Sequence, residues 1–210
     1  MPIDNVRFWD RLARKYAANP IADAEGYERS LEHTRRYLDR EQDAFEFGCG
    51  TGTTALKLAP SVARYVATDF SSEMITIGRQ KAAAEGVSNV EFAVATPDAA
   101  PYPDASFDAV IGFNVLHLIE DRAAALRGVH RLLKPGGVFI SKTPALTEIN
   151  FLIRLAVPLM QAFGKAPFVD FFSNEELERE IAASSFEIIE RAHHGSGKRD
   201  IRTFFVARRN

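Results

Sequence analysis

The sequence predicts an α/β protein: a three-layer α/β/α sandwich around a mostly parallel, seven-stranded sheet, closed by an antiparallel C-terminal hairpin and preceded by N-terminal helices. Three observations carry that prediction. Short β-rich runs alternate with stretches of helical length. A glycine-rich stretch, "FEFGCGTG" (45–52), directly follows the first run. The final two runs, "FEIIERAHH" (186–194) and "IRTFFVARR" (201–209), are joined by "GSGKRD", a linker of hairpin type.

Each element can be justified in turn. Two helical patterns come first, around 5–17 and 24–38. Strands follow at "AFEFG" (44–48), "YVATDF" (65–70), "VEFAV" (90–94), "FDAVIGF" (107–113) and "GVFISKT" (137–143). Between them lie helical patterns at 53–59, 72–85 and 122–133. Strands separated by helix-length crossovers imply right-handed connections and a parallel sheet covered on both faces. Punctuation agrees: "LKPGG" (133–137) ends a helix with a cation and turns into the next strand. In "DFSSEM", Ser71 or Ser72 is placed to cap a helix, with Glu73 in its first turn. The chain reads as one domain with four parts: a helical lid (1–40), a ligand-binding core (44–143), an apolar insertion or substrate cap (145–172), and a final helix with hairpin (173–210).

Bulk properties set boundaries. At 210 residues, with a net charge of −2 and a pI near 6.2, nothing draws the whole chain to nucleic acid or an anionic surface. One cysteine excludes an internal disulfide and fits a reducing, cytoplasmic setting. No run reaches the roughly 18 apolar residues of a spanning helix, and the charged start "MPIDNVRFWDRLARKYA" lacks a signal-peptide core. His193 and His194 have no metal-ligand spacing around them, so no metal is expected.

Glycines at 48, 50 and 52 suit a tight turn, a ligand lying close to the backbone, and helix–strand packing. A dinucleotide fingerprint would place its third glycine at 53 rather than 52, which counts against a pyrophosphate. Asp69 ends the second strand about twenty residues further on, where a carboxylate accepts ribose hydroxyls. The alternative for Asp69 is a simple helix cap. Loop and acid together favour an adenosine-containing ligand at the carboxyl ends of strands one and two.

Taken in order, "EFGCGTG", "ATDFSSEMI", "FDAVIGFNVLHLIED" and "LKPGG" resemble the class I S-adenosylmethionine-dependent methyltransferases, in their small-molecule branch, over about residues 44–143. The resemblance implies a Rossmann-like sheet, S-adenosyl-L-methionine as cofactor and S-adenosyl-L-homocysteine as product. It implies that the backbone around Gly48, Cys49 and Gly50 meets the methionine part, that Asp69 takes the ribose, and that Phe70 and Met74 flank the adenine. Asn114 then lies near the amino acid end, and Tyr16 is a candidate contact with the cofactor carboxylate. One departure stands out. Where the family commonly carries "GDA", this chain has Ala95, Thr96 and Pro97. Thr96 replaces the acid that reads adenine, and Pro97 brings no N–H to the ring. Asp98 is the candidate substitute through a shifted loop.

Of the remaining residues, His117 follows strand four and is the candidate general base or substrate contact; the alternative is a loop histidine held by hydrogen bonds. Cys49 reads as a small apolar residue rather than a nucleophile. In the first helix Phe8, Trp9, Leu12 and Tyr16 share one arc and Arg7, Asp10, Arg11, Arg14 and Lys15 the opposite one. It packs on the sheet domain, covers the cofactor, or rests on a membrane surface. The segment 151–172 is apolar around most of its circumference, broken by Arg154, Gln161 and Lys165, and Pro158 is expected to kink or split it. Its own helices, a second subunit in a homodimer, an apolar acceptor or a peripheral membrane contact can each cover it.

The function expected is methyl transfer to a small acceptor, apolar or lipid-like, and not nucleic acid. Two alternatives stay open: a non-catalytic module binding S-adenosylmethionine or S-adenosylhomocysteine, motivated by Thr96-Pro97, and a nicotinamide-dependent oxidoreductase. Against the latter, no tyrosine has a lysine four residues on.

Overall fold

The structure is a computed structural model and describes residues 5–148, 151–197 and 200–210; side chains are described within these except at 148, 151–155 and 162. Positions 1–4 of the predicted lid, 149–150 of the insertion, and 198–199 of the hairpin linker lie outside the described residues, as does the Arg154 side chain.

Two helices open the described chain, α1 (Asn5–Ala18) and α2 (Ala24–Arg35). The alternating region follows as β1 (Asp43–Phe47), α3 (Thr53–Leu58), β2 (Arg64–Asp69), α4 (Ser72–Glu85), β3 (Val90–Val94), β4 (Phe107–Phe113), α5 (Arg122–Leu132) and β5 (Leu133–Pro144). It ends with α6 (Phe151–Ala162), α7 (Asn174–Ala183), β6 (Phe186–Ala192) and β7 (Arg202–Arg209). The strands form one seven-stranded sheet in the order β3-β2-β1-β4-β5-β7-β6. Pairing from β3 through to β5 is parallel, while β7 runs antiparallel to both β5 and β6. The expected fold class stands, with one refinement: the hairpin folds back so that β7, not β6, meets the parallel strands.

Strand alternation divides the core between the two faces. Ala44 packs with Leu31 of α2, Ala55 and Leu58 of α3 and Ile75 of α4. Phe45 and Phe47 pack on the other face with Leu126 and Val129 of α5 and Leu177 and Ile181 of α7. Both phenylalanines are almost wholly buried, each worth about 2 kcal/mol of apolar transfer.

Local chemistry sets the ends. Ser71 caps α4 by accepting from Met74 N–H, and Ser173 with Glu176 forms a reciprocal capping box on α7. Two boundaries differ from expectation. "LKPGG" belongs to β5: Leu133 pairs with Phe107, and a register shift before Ala109 absorbs the turn residues. Pro158 lies inside α6 without ending it, because a proline forfeits one N–H and the ladder resumes with Phe163 N–H donating to Leu159 carbonyl at 3.3 Å. No described helix is long and apolar enough to cross a membrane.

Candidate functional site

At the carboxyl ends of β1, β2 and β4 lies a cavity of about 360 Å³. Its position follows from topology: β1 and β4 are neighbours whose following connections diverge, which opens a crevice at the strand ends. The turn after β1 supplies its floor. Gly48 has φ +63°, and a Cβ there would stand 2.3 Å from Val115 Cγ2. Gly50 has φ +53° with only the Tyr16 ring, 3.6 Å away, near the place of its missing Cβ. One glycine therefore serves close packing and the other keeps the backbone open to the cavity.

The turn is fastened to β2. Cys49 N–H donates to Thr68 carbonyl at 2.9 Å, and Gly50 N–H donates to Asp69 Oδ2 at 2.9 Å. The other oxygen of Asp69 accepts from Ser71 N–H at 2.9 Å. Asp69 is therefore both turn brace and helix-entry acceptor, and its carboxyl is pushed above the ordinary aspartate range, chiefly by burial. A carboxylate has about four acceptor positions, and the Gly50, Ser71 and Phe70 N–H groups leave one for a ligand hydroxyl. From α4, Lys81 reaches Thr51 Oγ1 at 2.9 Å and Thr53 Oγ1 at 3.1 Å, holding the turn from outside.

The residue that sequence reasoning missed is Glu46. It sits in β1 two positions before Gly48, is 2% exposed and lines the cavity. Tyr65 O–H donates to its Oε2 at 3.0 Å. Burial pushes its pKa to about 8, so the carboxyl is mostly protonated at neutral pH. A cationic ligand group beside it would draw the proton off. The signal was an acid inside the otherwise apolar run "AFEF". Tyr27, Trp9 and Arg202 also line the cavity from distant segments and were equally missed.

Of the residues singled out in the sequence, Tyr16, Gly48, Cys49, Gly50, Asp69, Phe70, Met74 and Asn114 line the cavity together. Asn114 takes φ +52° and donates its N–H to Lys142 carbonyl at 2.7 Å, which turns the chain at the end of β4. Tyr16 arrives on α1, which docks through Asp10: its Oδ1 accepts from Ser71 O–H at 2.6 Å and Glu73 N–H at 3.3 Å. Its hydroxyl pKa is raised by burial and then by the Asp69 and Glu46 carboxyls. Cys49 is buried, with its thiol pushed well above the ordinary range by desolvation, which suits a packing residue and not a nucleophile.

Four expected residues are not brought into the cavity. Thr96, Pro97 and Asp98 follow β3, with the Pro97 carbonyl and Asp98 N–H pressed close to Gly128 of α5 and the Asp98 side chain exposed. His117 lies on the 3₁₀ turn Leu116–Leu118. In that geometry residues three apart share a face, so Val115 and Leu118 line the cavity and His117 points elsewhere. Burial lowers its pKa to about 4, and Nδ1 has no hydrogen-bond partner among the described residues. The base role expected for His117 does not fit this placement.

No group of His, Cys, Asp or Glu among the described residues is arranged to hold a metal. The residues do fit the sulfonium cofactor: a glycine turn open to the cavity, a buried neutral acid beside it, and a strand-end carboxylate with an acceptor position to spare.

Comparison with known proteins bears on this site. A family model described as a methyltransferase domain matches residues 45–141. The chain is 33% identical over 142 residues to the uncharacterized methyltransferase YcgJ of Bacillus subtilis, covering 64% of this chain and 56% of that protein. The crystal structure of YcgJ aligns with a TM-score of 0.67 at 27% identity, over 79% of this chain and 72% of that one. The chain is also 34% identical over 151 residues to the ubiquinone/menaquinone biosynthesis C-methyltransferase UbiE of Geotalea uraniireducens, covering 68% of this chain and 57% of that protein. A demethylmenaquinone methyltransferase of Geobacillus stearothermophilus is 33% identical over 142 residues, covering 62% and 59% respectively. The matched regions span between half and three fifths of these curated relatives.

Proposed function

The chain belongs to the class I S-adenosylmethionine-dependent methyltransferases, and from that premise we propose that it transfers a methyl group to a small, apolar acceptor. The observation that carries this reading is the juxtaposition of two unlike surfaces in one cavity. Glu46, Gly48, Gly50 and Asp69 form a polar cradle. Trp9, Ile21, Phe113, Val115 and Leu118 add apolar side chains to the same cavity.

S-adenosylmethionine, when bound, supplies a methyl group already activated on a sulfonium. The protein's residues therefore have to bind, orient and exclude water. Asp69 takes a ribose hydroxyl with its remaining acceptor position. Glu46 gives up its proton to hold an ammonium group, while the glycine turn lets the ligand lie along the backbone. Phe70 and Met74 supply apolar contact to the adenine. Tyr16 and the segment before α2 cover the opening. These apolar side chains orient the acceptor, which suits one whose attacking atom is nucleophilic near neutral pH. The quinone-directed names of the relatives support an aromatic, lipid-like acceptor of that kind. A cytoplasmic setting goes with this reading.

Two measurements test it. Calorimetric titration with S-adenosylhomocysteine is expected to give micromolar or tighter binding, and titration with NADH none. Incubation with methyl-labelled S-adenosylmethionine and a demethylated naphthoquinol is expected to move label into the organic phase. Binding without transfer to any of a panel of apolar and polar acceptors would leave a binding module and overturn the transferase reading.

A further inference from the structure

We propose that this protein docks on anionic lipid bilayers through two neighbouring features: the basic outer arc of α1 and the exposed apolar tip of α6. At about 100° per residue, Arg14, Arg11 and Lys15 occupy one arc of α1 roughly 100° wide, and all three are exposed. The one acid of the helix, Asp10, lies beside that arc with its carboxylate engaged by Ser71 and Glu73 N–H. The chain as a whole carries a net charge of −2, so this concentration of positive charge is a local segregation and not an overall excess.

The second feature is apolar. At the end of α6, Leu159 is 64% exposed, Met160 43% and Phe163 71%, with the exposed Lys165 next to them. Three large apolar side chains on one tight turn, followed by a cation, are what inserts at the boundary between headgroups and acyl chains. One hydrogen bond brings the two helices together. Phe168 N–H donates to Asn5 Oδ1 at 2.9 Å, which joins the first turn of α1 to the chain leaving α6. Val6, 43% exposed, adds an apolar residue beside Arg7.

Charge complementarity selects the occupant. A second copy of this chain would set one cationic arc against another or against a mixed surface, whereas an anionic leaflet matches the arc, and each basic residue at such a surface strengthens binding several-fold. The opposite arc of α1 carries Trp9 and Tyr16 into the cavity, so docking would set the cavity beside the bilayer. That last step rests on the lipid-like acceptor proposed above; the docking itself does not.

The test is co-sedimentation of the purified chain with phosphatidylcholine vesicles, with or without about one third phosphatidylglycerol, with no cofactor or acceptor present. The expected result is binding to the anionic vesicles only, lost at high salt. The triple variant Arg11→Glu, Arg14→Glu, Lys15→Glu is expected to lose at least tenfold in partitioning. The double variant Leu159→Ser, Phe163→Ser is expected to lose about tenfold as well. Unchanged circular dichroism and unchanged S-adenosylhomocysteine affinity establish that both variants fold. No binding to anionic vesicles at low salt overturns the proposal. So does undiminished binding by either variant, or concentration-dependent dimerisation that Phe163→Ser abolishes in a chain that ignores vesicles. Failure to bind S-adenosylhomocysteine would strike the proposed function and leave the vesicle result standing.

Discussion

Lys142 and Glu46 are ionisable side chains buried near the carboxyl edge of the sheet, and the molecule provides for them in opposite ways. Lys142 on β5 is 5% exposed; its ammonium donates to Ser30 Oγ at 2.9 Å and lies 3.9 Å from Asp200 Oδ2. Asp200 in turn accepts from Gly195 N–H and from Arg202 Nε. Ser30 also meets His194 Nδ1 at 3.1 Å, whose Nε2 lies 2.8 Å from His33 Nδ1. Glu46 on β1 has the Tyr65 hydroxyl alone among the described residues, and it faces a cavity. The first group carries its countercharge within the chain and ties α2 to β5 and β7. The second is held neutral with an open side. A buried charge that is already answered is framework; one left unanswered beside a cavity is where a ligand's charge goes.

Disturbing each region separately breaks or sharpens that comparison. The largest effect is expected from Asp200→Ala, which strands the Lys142 ammonium in the interior and lowers stability by about 3–5 kcal/mol. Chemical denaturation measures it; because Asp200 also holds Arg202, which lines the cavity, S-adenosylhomocysteine affinity of the folded fraction should change by no more than a few-fold. A stable variant that has lost ligand binding would reverse the assignment of the two regions. Asp69→Ala is next: losing the charged acceptor for the ribose together with the brace on Gly50 is expected to weaken S-adenosylhomocysteine binding by about a hundredfold. An unaltered calorimetric Kd would remove the polar cradle from the proposed site.

The pH dependence of stability separates the regions further. Burial holds His117 and His194 at about 4, below the ordinary 6.5. The unfolded chain binds those protons first, so their contribution is lost as pH falls from about 6.5 to about 4. Glu46 behaves oppositely. Its folded pKa of about 8 exceeds the ordinary 4.5, so its neutral form favours the folded state at low pH and that advantage goes as pH rises. Above about pH 7.5 the histidines are almost wholly neutral in both states and Glu46 still differs. Asp69, also raised, acts in the same sense as Glu46. Stability of the ligand-free protein should fall by about 1 kcal/mol between about pH 7.5 and 9, read from thermal melts. Glu46→Gln is expected to flatten the fall; a persistent slope in that variant would assign it elsewhere. The smallest effect is expected from Asp98→Asn: an exposed residue away from the cavity should alter the S-adenosylhomocysteine Kd by no more than about twofold.

The same contrast explains what could be read in the sequence. Gly48, Gly50 and Asp69 were legible because backbone geometry restricts residue choice, and a turn must follow the strand that precedes it. The sheet and its closing hairpin were legible from alternation and spacing. Glu46 was not, because one acid in a short strand has the same pattern whether it faces water or an enclosed cavity. Arg202 and Tyr27 join the site through tertiary pairing that no local pattern records. His117 was misplaced for a similar reason: the sequence puts it after β4, but only the 3₁₀ turn decides which of residues 115–118 faces inward. Pro158 was given too much weight as a helix breaker, since one missing N–H does not end a helix whose other bonds hold.

The place of β7 has a consequence for synthesis. It is the latest of the seven strands to leave the ribosome, yet it sits inside the sheet, between β5 and β6. Until Arg202–Arg209 emerges, β5 presents an unpaired backbone edge and β6 has no strand to join. The nascent protein therefore carries an open, sticky flank from the emergence of β5 until that of β7, and stalling in that interval is where chaperone capture or misassociation should concentrate.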